Sequence, residues 1–423
     1  MLEVVNIRNK KEDYIERLEK RGLDARSIFD EIIALDDERK QTQQSTDAIL
    51  TESNAIAKQI GDLFKSGKRE EAEILKAKPA ALKEEVAILK EKSKTIEDQI
   101  QQKLYAVPNV PHVSVPAGKD ENDNDTIYEH GDIPKLHEGA LPHWELAKKY
   151  NLINFELGVK ITGAGFPVYT GKGAALQRAL INFFLNEAIE AGFQEVIPPL
   201  LVNEASGIGT GQLPDKEGQM YYMPEDDLYL IPTAEVPITN IYRDEIVDEA
   251  SLPIKMCGYT PCFRREAGSY GKHVRGLNRL HQFDKVEIVI VQHPDKSYET
   301  LDQMADHVKG LHEKLGLPYR VLRLCGGDTG FAAALTFDME VYSAGQERWL
   351  ETSSVSNFET FQATRLKLRM KDKDNNKQLA HTLNGSALAL PRILAALLEN
   401  YQTPEGIVVP EVLRKYTGFD IIN

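Results

Sequence analysis

Residues 262–287 read CFRREAGSYGKHVRGLNRLHQFDKVE and hold the side chains best suited to chemistry in this chain. Arg264 and Glu266 stand two apart, so on a strand they share a face. A glycine-rich basic loop, 267–277, separates them from a second strand-like run, 278–290, on which Arg279, Phe283 and Glu287 also share a face. Paired as an antiparallel hairpin, the two runs would set two guanidiniums and two carboxylates on one surface. A guanidinium is a planar fork that matches phosphate oxygens, and a carboxylate accepts hydrogen bonds from an amine. An ordinary hairpin with a salt-bridged outer face carries the same Arg-x-Glu signature, so that pair alone does not decide. The longer pattern is far more specific: Phe-Arg-x-Glu, a basic loop, then Arg-x3-Phe-x3-Glu.

Three other segments offer polar groups at fixed spacing. LIPTAEVPITN (230–240) sets the Thr233 hydroxyl and the Glu235 carboxylate between two prolines, which stiffen the backbone. WLETSSVSNFETFQATR (349–365) carries Glu351 and Ser354, a carboxylate and a hydroxyl of the kind magnesium favours. HTLNGSALALPRILAALLENYQ (381–402) runs as a strand to Pro391, a good first helical residue, and places Arg392 in the first turn beyond it. Each taken alone has a plain structural reading, as a capping threonine, a polar strand or a strand–helix corner.

The elements that must position these groups follow from composition and period. At 423 residues, with 42% hydrophobic and 27% charged residues, the chain is long enough for two or three globular domains. Stepping three and four residues from Ile32 gives Leu35, Arg39, Thr42, Thr46, Ile49, Ser53, Ile56, Ile60 and Leu63, a heptad seam with a polar middle. Ser66-Gly67 breaks it, and a second seam runs Ala72, Leu75, Pro79, Leu82, Val86, Leu89, Ser93, Ile96 and Ile100. Residues 27–104 therefore read as an antiparallel helical hairpin reaching about 54 Å, within an N-terminal domain at 1–106. Pro79 predicts a bend or a late helix start.

A linker at 107–131, rich in proline and then acidic, follows. From 132 to 423 glycine-punctuated strands alternate with helices, without regular βαβ repeats, which predicts an antiparallel sheet with flanking helices. Residues 175–191 read as a helix and 193–202 as a strand crossing Pro198 and Pro199. His307 and His312 read as a solvated helix face. No Walker-type loop or Gly-x-Gly-x-x-Gly is present.

Composition also excludes classes. No apolar run reaches the roughly 18–20 residues of a membrane span, and the charged N-terminus lacks a signal-peptide core. Cys257, Cys262 and Cys325 form neither a disulfide framework nor a zinc-type Cys-x2-Cys pair, so a reducing cytoplasm fits. A net charge of -14 argues against non-specific coating of nucleic acid. An RNA partner would need a confined basic surface. Lys58, Lys65, Lys68 and Arg69 near the hairpin turn, with Lys76, Lys78, Lys83, Lys90, Lys92 and Lys94 beyond it, offer one, or else form a solvated face.

The 262–287 stretch resembles motif 2 of the class II aminoacyl-tRNA synthetases, and its wording, GSYG, RGL and HQF, resembles the seryl-tRNA synthetases of bacterial type. AGFQEVIPPLLV (191–202) resembles motif 1, which in that class builds a homodimer interface around its proline, here Pro199. Residues 381–402 resemble motif 3, with Ala387 and Pro391 where many relatives have glycine. The resemblance implies an α+β fold: a two-helix tRNA-binding arm followed by a class II catalytic domain.

It implies that Thr233, Ala234, Glu235, Glu287, Asn384 and Ser386 hold L-serine. Arg264, Arg265, Glu266, Arg279, Glu351, Thr352, Ser353, Ser354 and Arg392 would hold ATP, with Mg2+ at Glu351 and Ser354 and no zinc. Arg264 would bridge the α-phosphate and the serine carboxylate, with Arg279 and Arg392 on the outer phosphates. Lys65, Lys68, Arg69 and Arg275 would meet tRNA(Ser), and by family expectation tRNA(Sec). Two other readings keep the core: an amino acid:carrier-protein ligase, which lacks the long arm, and a coiled-coil scaffold on a decayed synthetase domain.

Overall fold

The computed structural model describes residues 1–215, 218–266 and 275–423, so positions 267–274 of the glycine-rich loop lie outside the described residues. The chain divides into two compact units, one from Met1–Glu19 and Leu23–Pro108, the other from Lys20–Gly22 and Asn109–Asn423.

In the first unit two short helices, Val4–Asn9 and Lys11–Glu19, precede α1 (Arg26–Lys65), α2 (Arg69–Leu75) and α3 (Ala77–Ala106). α1 and α3 pack along one another. Every seam position from Ile32 to Leu63 and from Ala72 to Ile100 is buried or half-buried, and none is exposed. The polar middle is tolerated because the Thr46 hydroxyl donates to the Thr42 carbonyl at 2.8 Å, one turn back. Gly67 makes the turn at φ 77°, a left-handed value that glycine adopts without strain. Pro79 acts through a late start: the helix breaks after Leu75 and resumes at Ala77, which leaves the proline in a first turn where its missing N–H costs nothing.

The second unit is built on an eight-stranded sheet. In chain order its strands are β1 (Asp125–His130), β2 (Gln194–Glu195), β3 (Ile254–Phe263), β4 (Gln282–Gln292), β5 (Tyr319–Arg323), β6 (Leu335–Ser343), β7 (Arg348–Asn357) and β8 (His381–Ala389). Across the sheet they lie β1-β5-β6-β7-β8-β4-β3-β2. All neighbours are antiparallel except the short edge pair β2 and β3.

Five helices matter to the site: α4 (Gly171–Glu190), α5 (Glu235–Asn240), α6 (Ser297–Lys314), α7 (Thr360–Leu366) and α8 (Leu390–Asn400). Leu180 and Phe184 of α4, Met304 and Val308 of α6, and Leu394 of α8 share one core with Val286, Ile288 and Ile290 of β4. Strand alternation then turns Lys285, Glu287, Val289 and Val291 to the opposite face. There Val289 packs with Ala234 and Ile238, and Val291 with Ala363 and Leu366, so α5 and α7 cover that side.

Three sequence expectations change. The hairpin strands are shorter than 278–290 implied: β3 ends at Phe263 and β4 begins at Gln282, so Arg264, Glu266 and Arg279 stand beyond the strand ends. The cause is local, since the Arg265 N–H bonds to the Gln219 carbonyl and Glu266 adopts φ 48°, which turns the chain. Residues 193–202 do not form one strand. Pro198 and Pro199 lack the N–H a ladder needs, and only Gln194–Glu195 and Leu201–Val202 pair, in different sheets. His312 is not solvated: it is fully buried, bonded to the Val308 carbonyl and to Thr352 Oγ1, and burial pushes its pKa down to about 4.

Candidate active site

Four elements meet on the face of the sheet that α5 and α7 cover. β4 supplies Glu287, and β8 sets Ser386 directly opposite it and Asn384 opposite Val289. The segment before α5 supplies Thr233, whose hydroxyl donates to Glu287 Oε2 at 3.1 Å and accepts from the Glu235 N–H at 3.2 Å. α7 supplies Gln362, whose amide donates to Glu235 Oε1 at 2.6 Å. Gln362 is itself held by Thr382 Oγ1 at 2.7 Å and the Thr210 carbonyl at 3.1 Å. The Asn384 side chain also bonds to Glu235. Burial, and then the charge of Glu287, push the Glu235 carboxyl up to about 7 against these bonds. Lys285 Nζ lies 2.5 Å from Glu287 Oε2. The result is a buried polar site of two carboxyl groups, one ammonium and several neutral hydrogen-bonding groups.

Beside it stand the arginines. Arg264 Nε donates to the Pro232 carbonyl at 3.3 Å, next to Thr233, and its guanidinium lies 5.3 Å from the Phe283 ring centre. Arg279 Nε meets Glu266 Oε2 at 2.5 Å, so two residues expected to hold different parts of one ligand are paired with each other here. Arg392 Nε donates to the Asn278 carbonyl at 3.3 Å and Nη1 to the Glu351 carbonyl at 2.6 Å. Arg392 thus joins the loop exit to β7.

β7 explains the Glu351–Ser354 spacing. Residues three apart on a regular strand face opposite ways. The register shifts here, with Met339 opposite Ser353 and Glu340 opposite Glu351, and the extra residue returns Glu351 and Ser354 to one face. On the neighbouring strand, opposite Ser354, stands the buried carboxyl of Asp338, hydrogen-bonded to Ser354. Burial and the charge of Glu351 push it well above the usual carboxylate range, and its Oδ1 meets no partner among the described residues. Two carboxylates and a hydroxyl are hard oxygen donors that fit a hard dication. No cluster of three or more His, Cys, Asp or Glu side chains placed for a metal occurs among the described residues.

The site rests on a buried polar network. His143 and Glu399, both inaccessible, share a 2.7 Å bond from His143 Nδ1 to Glu399 Oε1. Glu399 also accepts from the His143 N–H, the Gly345 N–H, Ser343 Oγ and Gln346 Nε2. His143 Nε2 accepts from the Leu277 N–H at 2.9 Å, and Gln346 Oε1 accepts from Asn278 Nδ2 at 2.7 Å, which clamps the loop exit next to Arg279. Gly276 permits this approach: at φ 70°, a Cβ there would sit 2.2 Å from His143 Nε2. Glu399→Ala strands several buried donors at once and should lower unfolding free energy by about 3–5 kcal/mol. Denaturant titration checks this, and a loss below 1 kcal/mol would refute the network's importance.

Not every expected residue faces the pocket. Thr352 Oγ1 bonds to His312 and to the Met339 carbonyl, and Ser353 Oγ donates to the Ser386 carbonyl at 2.6 Å, so both side chains are committed within the sheet. The Ala234 methyl packs in the core with Ile238 and Val289. Arg265 is exposed. Arg275 is bonded to Glu145 at 3.2 Å and lies over Trp144. Lys65, Lys68 and Arg69 are exposed on the helical unit, with Lys68 paired to Glu71 at 3.1 Å. Lys78 and Lys92 reach Glu52 and Glu38 across the hairpin. Lys285, Gln362, Asp338, His143 and Glu399 were not anticipated. Only Lys285 carried a local signal, standing two residues before Glu287 on a strand.

Comparison with known proteins accounts for both units. The family description "Seryl-tRNA synthetase N-terminal domain" matches residues 1–111, and "tRNA synthetase class II core domain (G, H, P, S and T)" matches residues 221–401. The serine–tRNA ligase of Salinibacter ruber is 49% identical over 99% of this chain and 98% of its own. That of Akkermansia muciniphila is 46% identical over 100% and 99%. The crystal structure of seryl-tRNA synthetase from Pyrococcus horikoshii complexed with ATP superposes with a TM-score of 0.93 at 35% identity, covering 100% of this chain and 99% of that one. A prolyl-tRNA synthetase from Giardia lamblia, at 15% identity and a TM-score of 0.56, shares the fold over 64% of this chain. With identity near one half sustained from end to end, arm and catalytic core alike, this chain belongs to the seryl-tRNA synthetases.

Proposed function

We propose that the chain is an ATP-dependent serine–tRNA ligase: it activates L-serine as seryl-adenylate and transfers it to tRNA(Ser). The observation that carries this is the pocket in which Thr233, Glu235, Glu287 and Ser386 converge next to Arg264. An amino acid offers an ammonium, a hydroxyl and a carboxylate. The buried carboxylates suit the first two and the arginine the third. In the first step a serine carboxylate oxygen attacks the α-phosphorus, the bond to the bridging oxygen breaks, and pyrophosphate leaves. In the second the 3′-terminal hydroxyl of tRNA attacks the adenylate carbonyl, losing its proton as AMP departs. Such transfers depend on positioning and charge neutralisation. Arg264 would span the α-phosphate and serine carboxylate, and Glu266 would accept from the adenine amino group. Arg279 and Arg392 would neutralise the outer phosphates, with Arg279 exchanging Glu266 for nucleotide. Thr352 and Ser353 would contribute through backbone groups.

Mg2+ bound with ATP would be held by Glu351 and Ser354, where it supplies charge neutralisation at phosphate oxygens. The reading extends to tRNA(Sec), to a cytoplasmic location and to a homodimer. Among the described residues no helix is long and apolar enough to cross a membrane. The dimer is favoured by the short strand β2 at the sheet edge and by Ile197 beside it, a large apolar side chain left 87% exposed.

Serine-dependent ATP–pyrophosphate exchange, with and without tRNA, tests the function. Glu287→Gln should cut the preference for serine over alanine by about 10- to 100-fold, and retention of the wild-type margin would refute the role. Glu235 yields a pH test. Its proton must leave before it can pair with the substrate ammonium, so kcat/KM for serine should fall as pH drops through about 7. Glu235→Gln should abolish that inflection, and a wild-type profile flat from pH 6 to 8 would exclude the carboxylate's role.

A further inference from the structure

We propose that Lys285 is the residue that sets serine selectivity through Glu287, by holding the carboxylate in the orientation that receives the substrate hydroxyl. The inference rests on the serine-site reading above. Lys285 and Glu287 sit two apart on β4 and turn to the same face. Their side chains are only 8% and 2% exposed, and Nζ lies 2.5 Å from Oε2. Thr233 Oγ1 donates to that same oxygen at 3.1 Å. Oε2 therefore carries both the Thr233 hydrogen bond and the ammonium contact. A carboxylate tied by one oxygen presents the other in a fixed direction, which is what discrimination between a hydroxyl and a hydrogen requires.

The lysine also answers an electrostatic problem. Glu235 and Glu287 share one buried pocket, and the charge of Glu287 acts on Glu235. Two carboxylates against one ammonium leave a single negative charge, the complement of one α-ammonium. Without Lys285 the pocket would repel itself, and Glu287 would be held by Thr233 alone. A lysine paired with a glutamate two residues along a strand is elsewhere a plain structural ion pair. The test must separate the two roles.

The test compares Lys285→Met, Glu287→Gln and the double variant with wild type in ATP–pyrophosphate exchange on L-serine and on L-alanine, with KM for ATP measured alongside. Lys285→Met should raise the serine KM by about 10- to 100-fold and lower the serine-over-alanine ratio at least about tenfold, with the ATP KM within about twofold. Because the lysine acts through the glutamate, the double variant should match Glu287→Gln alone. An unchanged serine-over-alanine ratio in Lys285→Met overturns the proposal, as does a double variant whose loss is the product of the single losses. Should Lys285→Met fail to fold, the double variant, which leaves no buried charge of this pair unmatched, carries the comparison, and a loss beyond that of Glu287→Gln overturns the proposal. A Glu287→Gln enzyme with full serine selectivity would instead overturn the serine-site reading itself, a distinct result.

Discussion

Arg264→Ala is expected to slow serine-dependent pyrophosphate exchange by about 10²–10³, the equivalent of about 2.7–4 kcal/mol of transition-state stabilisation. Negative charge shifts within the triphosphate as the serine oxygen approaches the α-phosphorus, and a guanidinium already in place meets it without reorganisation. Arg264 is held in one place by the protein itself. It is half-buried, fixed by the Pro232 carbonyl and by the Phe283 ring, with no carboxylate partner among the described residues. Those contacts are few, so the fold should survive with a change in unfolding free energy of about 1 kcal/mol or less. Arg264→Lys keeps the charge but not the planar fork, and should recover only part of the rate. Exchange within a few-fold of wild type in Arg264→Ala would remove this arginine from the chemistry.

How much of this was legible in the sequence depends on whether the signal was local. The arm was: Ile32, Ile56, Leu82 and Ile96 repeat at heptad spacing, burial follows the spacing, and Pro79 announced the helix restart. The place of Glu287 was legible because it falls on a strand whose period the sequence shows, whereas Arg264, just beyond the end of β3, was reached through the long motif alone. Gln362 was not legible, since it reaches Glu235 from a helix more than a hundred residues away, and only the packing of α7 on the sheet brings them together. His143 and Glu399 failed to register for the same reason, standing 256 positions apart. His312 was misjudged although it lies on the apolar stripe of α6, four residues after Val308 and eight after Met304. What no window around position 312 contains is Thr352 of the sheet, which gives the buried ring a partner. Glu351 and Ser354 needed a bulge that spacing alone does not reveal.

Deleting residues 30–100 is expected to spare serine activation and cripple tRNA charging. The proposed serine and ATP contacts all fall in the second unit, whose core, drawn from Val115 to Ile422, is its own, so pyrophosphate exchange should stay within a few-fold of wild type. Transfer should suffer because a tRNA held only at its acceptor end loses the gain of two-site binding, which is about 10²–10⁴. kcat/KM for tRNA should fall by that order at limiting tRNA and recover partly at saturation. Milder changes should follow the same direction. Replacing Lys65, Lys68 and Arg69 with alanine should weaken tRNA binding and flatten its salt dependence, each lost phosphate contact removing about 0.7–0.9 of a unit of slope. The deletion should outweigh the point variants, since Lys68 is already paired with Glu71, which offsets part of its field at a phosphate. This result also separates the readings left open by the sequence: a carrier-protein ligase or a scaffold would not need the arm for a tRNA. Equal charging by the armless protein at limiting tRNA would return the hairpin to a purely structural role and leave the recognition of tRNA to the catalytic unit.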